Sequence, residues 1–167
     1  LAKKGFFSPD LFENYAQTGS PLPEHPSPNC VPGIEAATGS LGHGLSISTG
    51  IALASKMNGI PFRVVCLLSD GECNEGSTWE AVMLAPVHKL DNLIAIVDFN
   101  KWQATGRSAE ITALEPLEEK FEAFGWNSIR IDGHDYRQIK SALKAANDSE
   151  KPFAIIADTT KGKGIKV

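Results

Sequence analysis

The chain has 167 residues, of which 42% are hydrophobic and 22% charged, and a net charge of -4; this is enough for one domain with a real core. A weakly acidic chain without a Lys/Arg run gives no electrostatic reason to expect nucleic acid or an anionic membrane as partner. The longest apolar run, around residues 64–68, is far too short to span a bilayer.

Three cysteines are present, Cys30, Cys66 and Cys73. The number is odd, the spacing fits no zinc motif, and no N-terminal secretion pattern is visible, so a reduced, cytoplasmic setting is expected. The first residue is Leu1 rather than Met, which fits a processed chain, a shortened one or part of a longer product.

Residues 1–35 form an arm rich in turn formers: Pro21, Pro23, Pro26, Pro28 and Pro32 stand close together with Gly19 and Gly33, which rules out a long helix. A short helix is predicted over 9–17, with Ser8 as cap and Pro9 at the first helical position. Residues 41–58, rich in Ala, Ile, Leu and small residues, read as a buried helix ended by Gly59-Ile60-Pro61. Residues 63–68 are a continuous apolar run of strand length, the pattern of a strand covered on both faces. A helix over 75–89, a second buried strand over 93–97 and a loop over 98–112 follow. The alternation continues with a helix over 114–124 stopped by Gly125, a short strand over 128–131, an amphipathic helix over 136–146, an apolar strand over 153–157 and a Gly/Lys loop over 159–164. Strands alternating with helices predict an α/β fold with a parallel sheet and helices on both faces, in one domain spanning 1–167.

In such sheets ligands sit beyond the carboxyl ends of the strands. Three polar segments fall there: Ser69-Asp70-Gly71-Glu72, Asp98-Phe99-Asn100-Lys101 and Asp158-Thr159-Thr160-Lys161. Asp70 offers a carboxyl and Asn100 an amide oxygen, hard ligands suited to Mg2+ or Ca2+ rather than zinc. Mg2+ characteristically takes one or two protein oxygens and completes its shell with phosphate and water. Gly71 lets a phosphate approach the backbone, and the helix that follows favours an anion at its N-terminus. Alone, Asp70-Gly71 and Asn100 are each more often plain turn residues. Their pairing on successive strand ends is what points to a metal.

The run Ser69-Asp70-Gly71-Glu72-Cys73-Asn74-Glu75-Gly76, continued by Trp79-Glu80-Ala81 and by residues 89–101, resembles the thiamine diphosphate motif of the transketolase family, which opens with Gly-Asp-Gly and closes with Asn about thirty residues on. Asp70 and Asn100 stand thirty apart. Pro32-Gly33-Ile34-Glu35-Ala36-Ala37-Thr38-Gly39-Ser40-Leu41-Gly42-His43-Gly44 upstream, and Phe124-Gly125-Trp126, Asp132-Gly133-His134-Asp135 and Thr160-Lys161-Gly162-Lys163-Gly164 downstream, also resemble family segments. The resemblance covers nearly the whole chain and is specific because several motifs keep their order.

The resemblance implies a thiamine diphosphate-binding fold and a transferase that moves a two-carbon ketol unit from a ketose phosphate to an aldose. It implies a metal, Mg2+ with Ca2+ or Mn2+ as substitutes, held by Asp70, Asn100 and the carbonyl of Trp102. Gly71 and Glu72 would line the diphosphate, while Gly39, Ser40 and Leu41 would pass beside the cofactor. Glu75 resembles a glutamate at the family's subunit interface, in a network linking paired sites, and His25, in Glu24-His25-Pro26, resembles a substrate-contacting histidine. From the residues alone His25 reads equally as a solvent-exposed loop histidine, His43 as a helix-packing residue and His88 as a cation suited to a helix end.

The chain departs from the family in three places. Ser69 replaces the first Gly, a change the fold tolerates if φ stays negative there; His43 stands where Gln is common; and Trp102 replaces a smaller aliphatic residue. The family's pyrimidine-binding domain has no counterpart in these 167 residues. That fits the N-terminal subunit of a split transketolase, in a homodimer or heterotetramer with a pyrimidine-domain partner subunit, or a fragment of a longer chain, and in both cases the chain alone is expected to be inactive. The alternatives are another thiamine diphosphate enzyme, such as a deoxyxylulose-phosphate synthase, and a non-catalytic cofactor-binding module.

Overall fold

The computed structural model describes residues 1–165, which divide into two compact units, Leu1–Leu41 and the chain from Gly42 onward. In the first, a 3-10 helix spans Pro9–Asn14, started by the Ser8 hydroxyl, which accepts from the Asp10 amide, and by Pro9 at its first position. The expected helix is thus present, but tighter and shorter. Leu22 and Val31 are buried, and the Ala16 amide closes on the Leu22 carbonyl at 2.9 Å.

The second unit holds a four-stranded sheet, all of whose neighbours pair in parallel, in the order β1-β2-β6-β5. The strands are β1 (Val64–Ser69), β2 (Leu93–Phe99), β5 (Asn127–Asp132) and β6 (Phe153–Asp158); a small antiparallel hairpin, β3 (Trp102–Gln103) and β4 (Gly106–Arg107), follows β2. The helices are α1 (His43–Asn58), α2 (Gly76–Val87), α3 (Ser108–Ile111), α4 (Leu117–Ala123) and α5 (Tyr136–Asn147). Helix α1 lies between two glycines in the left-handed region, Gly42 at φ 78° and Gly59 at φ 63°, where a Cβ is costly. Gly125, at φ 95°, follows α4 and closes it by donating to the Glu122 carbonyl. Helix α5 carries the apolar stripe that its sequence period requires, burying Ala142 and Ala146 with Ile139 and Leu143 beside them.

Two layers of core result. On one face, Leu68, Val97, Phe99 and Ile156 pack with Leu45, Val82, Leu117, Phe121 and Trp126; on the other, Ile94, Ile155 and Phe153 pack under α5. Phe121 lies 5.5 Å from both Trp79 and Trp126, and each tryptophan N–H is satisfied by a carbonyl, of Cys73 and Val82 respectively, both at 2.8 Å. Cys66 and Cys73 are buried free thiols, as Cys66's apolar setting predicts; burial raises both, Cys73 to about 12.

Strand β1 departs from expectation. Its apolar run reads as covered on both faces, yet Val65 is 53% and Leu67 71% exposed. The strand lies at the edge of the sheet, and among the described residues α5 packs on β5 and β6 rather than over it. Ile47 and Ile51 on α1 are also partly exposed, so that helix is buried on one side only. No helix of the described residues is long and apolar enough to cross a membrane.

Candidate functional site

The parallel register places Ser69 opposite Asp98, and Phe99 opposite Asp158. The three polar segments predicted at strand carboxyl ends are therefore at the same end of one sheet. Asp70 follows directly on β1, inside a short 3-10 turn spanning Asp70–Asn74, and is fully buried. Its Oδ2 accepts from the Lys101 amide at 2.9 Å and from the Ser108 hydroxyl at 2.7 Å. Its Oδ1 is buried and has no hydrogen-bond partner among the described residues. Leaving such an acceptor unmet costs about 1–3 kcal/mol, which a hard cation would recover.

The loop after β2 is shaped to reach this carboxyl. Lys101 takes the left-handed conformation, φ 69°, which presents its amide to Asp70; the Lys101 carbonyl then accepts from the Ser108 amide at 3.1 Å. Asn100 lies one residue from that contact. Its Oδ1 accepts from the Trp102 amide at 3.0 Å, and its Nδ2 donates to Asp98 at 3.4 Å. Asn100 thus makes the turn that its residue type suggests while keeping a second lone pair on Oδ1. The Trp102 ring is covered by the Arg107 guanidinium at 4.0 Å.

Ser69 has φ -86°, so the missing family glycine is not needed there. Its side chain instead makes a capping box: Ser69 Oγ accepts from the Glu72 amide at 3.3 Å, and Glu72 Oε2 accepts from the Ser69 amide at 2.9 Å. The other Glu72 oxygen accepts from the Gly42 amide at 3.4 Å. The Glu72 carboxyl is therefore turned into the protein beside the site. The pattern Ser-x-x-Glu is a readable capping signal. Glu75 caps α2 by its backbone and packs on Gly42, where an added Cβ would lie 2.5 Å from Glu75 Cβ and from Ser77 Oγ.

Gly71 differs from Gly42. It has no positive φ, and a Cβ there would meet only ordinary contacts, the nearest with the Gln103 side chain at 3.6 Å. Nothing in the fold demands glycine at 71. An open buried carboxyl oxygen, an amide oxygen nearby and a bare backbone suit a hard cation with a phosphate group. Among the described residues no cluster of three His, Cys, Asp or Glu side chains could hold a metal.

The remaining strand ends are closed. Asp158 is held by Arg130 at 2.6 and 3.0 Å and by Lys101 Nζ at 3.1 Å. The Arg130 hydrogen bond holds its carboxyl below the usual range, and Asp158 in turn raises Arg130. Asp98 accepts from the Thr159 hydroxyl, and His134 Nε2 accepts from the Thr160 amide at 2.8 Å. A cavity of about 540 Å³ runs from Asp98 and Asn100 along Leu67, Ile96 and Ile155 to the 159–163 loop.

His25, Gly39, Ser40 and Leu41 belong to the first unit. Its fold lays the His25 ring on Gly39, where a Cβ would come within 2.7 Å of the ring; Gly39 is at φ 101°. Two of the predicted residues are thus in contact, and His25 and Leu41 are exposed. Sequence reasoning missed Ser108, the backbone role of Lys101 and the clamp on Gly42, since no local pattern marks contacts across some 30–38 residues.

Comparison with known proteins agrees with this fold. The family model described as "Transketolase, thiamine diphosphate binding domain" matches residues 7–167. The chain is 42% identical to an apulose-4-phosphate transketolase subunit of Actinobacillus succinogenes, over 99% of this chain and 60% of that protein. It is 44% identical to the 6-deoxy-6-sulfo-D-fructose transketolase subunit SqwG of Clostridium sp., over 98% and 60%. Among solved structures, Campylobacter jejuni transketolase superposes with a TM-score of 0.89 at 39% identity, over 93% of this chain and 25% of that one. The chain spans about three fifths of the length of the split-subunit relatives it matches. With the family model matched over residues 7–167 and the fold shared with a solved transketolase, the chain belongs to the transketolase family, as its thiamine diphosphate-binding domain.

Proposed function

We propose that this chain is the diphosphate- and metal-holding part of a Mg2+-dependent transketolase that moves a two-carbon ketol unit from a ketose phosphate to an aldose. The observation that carries the reading is the buried, unpartnered Oδ1 of Asp70 beside Gly71. Asp70, Asn100 and the carbonyl of Trp102 would hold the metal, with Ca2+ or Mn2+ as substitutes. The Lys101 amide and Ser108 hydroxyl fix the Asp70 carboxyl, so that Oδ1 is the oxygen left to bind. Gly71 gives the diphosphate access to the backbone. Bound thiamine diphosphate would supply the electron sink for the two-carbon unit, and the protein would position it. Gly39, Ser40 and Leu41 are assigned to the cofactor's flank, His25 to the substrate hydroxyls and Glu75 to the subunit interface. Glu72 is assigned to shaping the diphosphate turn through its capping box.

The relatives named as transketolase subunits support a partner polypeptide bearing the pyrimidine domain. The sugars in their names, apulose-4-phosphate and 6-deoxy-6-sulfo-D-fructose, support a donor that carries an anionic group. The test is thermal unfolding of the chain with thiamine diphosphate, with and without Mg2+. Stabilisation requiring both is expected, whereas equal melting with and without the metal would remove the metal assignment. Ketol transfer is expected only after addition of the pyrimidine-domain partner, and turnover by the chain alone would refute that division of labour.

A further inference from the structure

The side chain that lies over the same glycine carries a second unmet group. Three buried side-chain polar atoms lack a partner among the described residues: Asp70 Oδ1, Gln103 Nε2 and Asn92 Oδ1. Asn92 precedes β2, at the opposite end of the sheet. The other two flank Gly71: Asp70 precedes it in the chain, and the Gln103 side chain lies over it, with Cγ and Cδ at 3.6 and 3.8 Å from the position a Cβ would occupy. One orphan is an acceptor and the other a donor.

The Gln103 amide is oriented by its neighbours. The Thr112 hydroxyl donates to Asn74 Oδ1 at 3.0 Å, and Asn74 Nδ2 donates to Gln103 Oε1 at 2.8 Å. This relay occupies the oxygen of Gln103 and leaves both Nε2 hydrogens for something else. A buried amide donor left unmet is costly, as is the open carboxyl oxygen, and the fold leaves both unmet in side chains next to and over a glycine it does not itself require. The complement of that pair is a cation joined to an anionic oxygen: the cation on Asp70 and the oxygen on Gln103.

We propose that Gln103 binds the anionic end of the ligand, its Nε2 donating to a phosphate oxygen of a metal-bound diphosphate beside Gly71, and that the Asn74–Thr112 relay sets the direction of that donor. The inference rests on the function proposed above and adds a contact to it. A neutral amide leaves the charge of the diphosphate to the metal, so Gln103 adds geometry and one hydrogen bond to a charged acceptor.

The test is calorimetric titration of the full chain with Mg2+-thiamine diphosphate and, separately, with Mg2+-pyrophosphate, which has only the anionic end. Gln103→Met keeps the length of the side chain and removes the donor. Gln103→Glu keeps an oxygen for Asn74 and replaces the donor with a carboxyl. Both should weaken both ligands at least about tenfold, as expected for one hydrogen bond to a charged group, with Glu the worse. Circular dichroism of the unliganded variants should match the parent. A Gln103→Glu variant that binds as well as the parent would show that Gln103 only supports Asn74, and would overturn the inference. Asp70→Ala separates the two readings: if it abolishes binding while both Gln103 variants bind normally, the Gln103 contact alone is wrong; if it leaves Mg2+-dependent binding intact, the metal assignment fails first.

Discussion

Asp70 and Asp158 stand at the same end of one parallel sheet, each at the carboxyl end of a strand, yet they are treated in opposite ways. Asp158 is closed by the protein: Arg130 grips both its oxygens, Lys101 adds a second cation, and Arg130 is itself held by Glu115 and Glu118 and lies over the Phe99 ring at 4.9 Å. Asp70 is more deeply buried and is met by an amide and a hydroxyl on one oxygen, with the other bare. A buried acceptor persists unmet only where something outside the chain meets it or the fold accepts the cost. The closed carboxyl holds strand ends together; the open one keeps an oxygen that no described residue meets. Glu72, two residues on from Asp70, belongs with the closed kind, since Ser69 and Gly42 take its oxygens.

Four substitutions test that contrast. Asp70→Ala should have the largest effect, lowering affinity for Mg2+-thiamine diphosphate by about a hundredfold or more while deleting metal-dependent thermal stabilisation; retention of that stabilisation would mean the open oxygen is a structural accident. Ser108→Ala removes the hydroxyl that fixes Asp70 without touching Oδ1. An approximately tenfold loss of metal affinity is expected, at the lower end of the range for a residue that orients a ligand, and an unchanged affinity would show that the Lys101 amide suffices.

Arg130→Met should leave cofactor affinity unchanged and destabilise the fold by about 1–2 kcal/mol, the pair being partly solvent-screened. Its pH dependence follows from Asp158. Arg130 depresses the folded-state carboxyl, so the stabilisation is present above the unfolded value of about 3.9 and disappears as pH falls through the lower folded value. The stability gap between parent and variant, read by urea unfolding, should therefore be constant near pH 6–7 and close as the pH drops below about 4; a gap that widens on acidification would contradict the pairing. The smallest effect belongs to Ser69→Ala, which deletes the cap acceptor for the Glu72 amide and should cost about 1 kcal/mol; a loss of several kcal/mol would mean the capping box does more than start the turn.

Much of this fold is legible in the residues themselves. The alternation of apolar runs with helical periods locates the four strands of the parallel sheet and α1, α2, α4 and α5 within a few residues, because the buried faces of β2 and β6 and the stripe of α5 impose periods that a sequence displays; the β3–β4 hairpin and α3 fall inside the stretch read as a loop over 98–112. The strand-end positions of Asp70 and Asn100 follow from that alternation, and the family from the motifs around them. The short helix after Ser8 is visible in Ser-Pro, though its 3-10 form is not. The exposed face of β1 is hidden because an apolar run does not say whether its strand is central or at the edge. Asn100 reads as turn residue or ligand, and its Oδ1 contact with the Trp102 amide shows that a turn is made without using the oxygen's second lone pair.

Three things are written in the order of the amino acids: which residues could serve as hard oxygen ligands, the succession of the elements, and the family to which they belong. Which carboxyl is open and which is closed is a matter of packing. That difference depends on Ser108 and Lys101 reaching Asp70 across 38 and 31 residues, and on Arg130 reaching Asp158 across 28. Contacts at such separations are set by how helices and loops pack on the sheet, and no local pattern of residues encodes them.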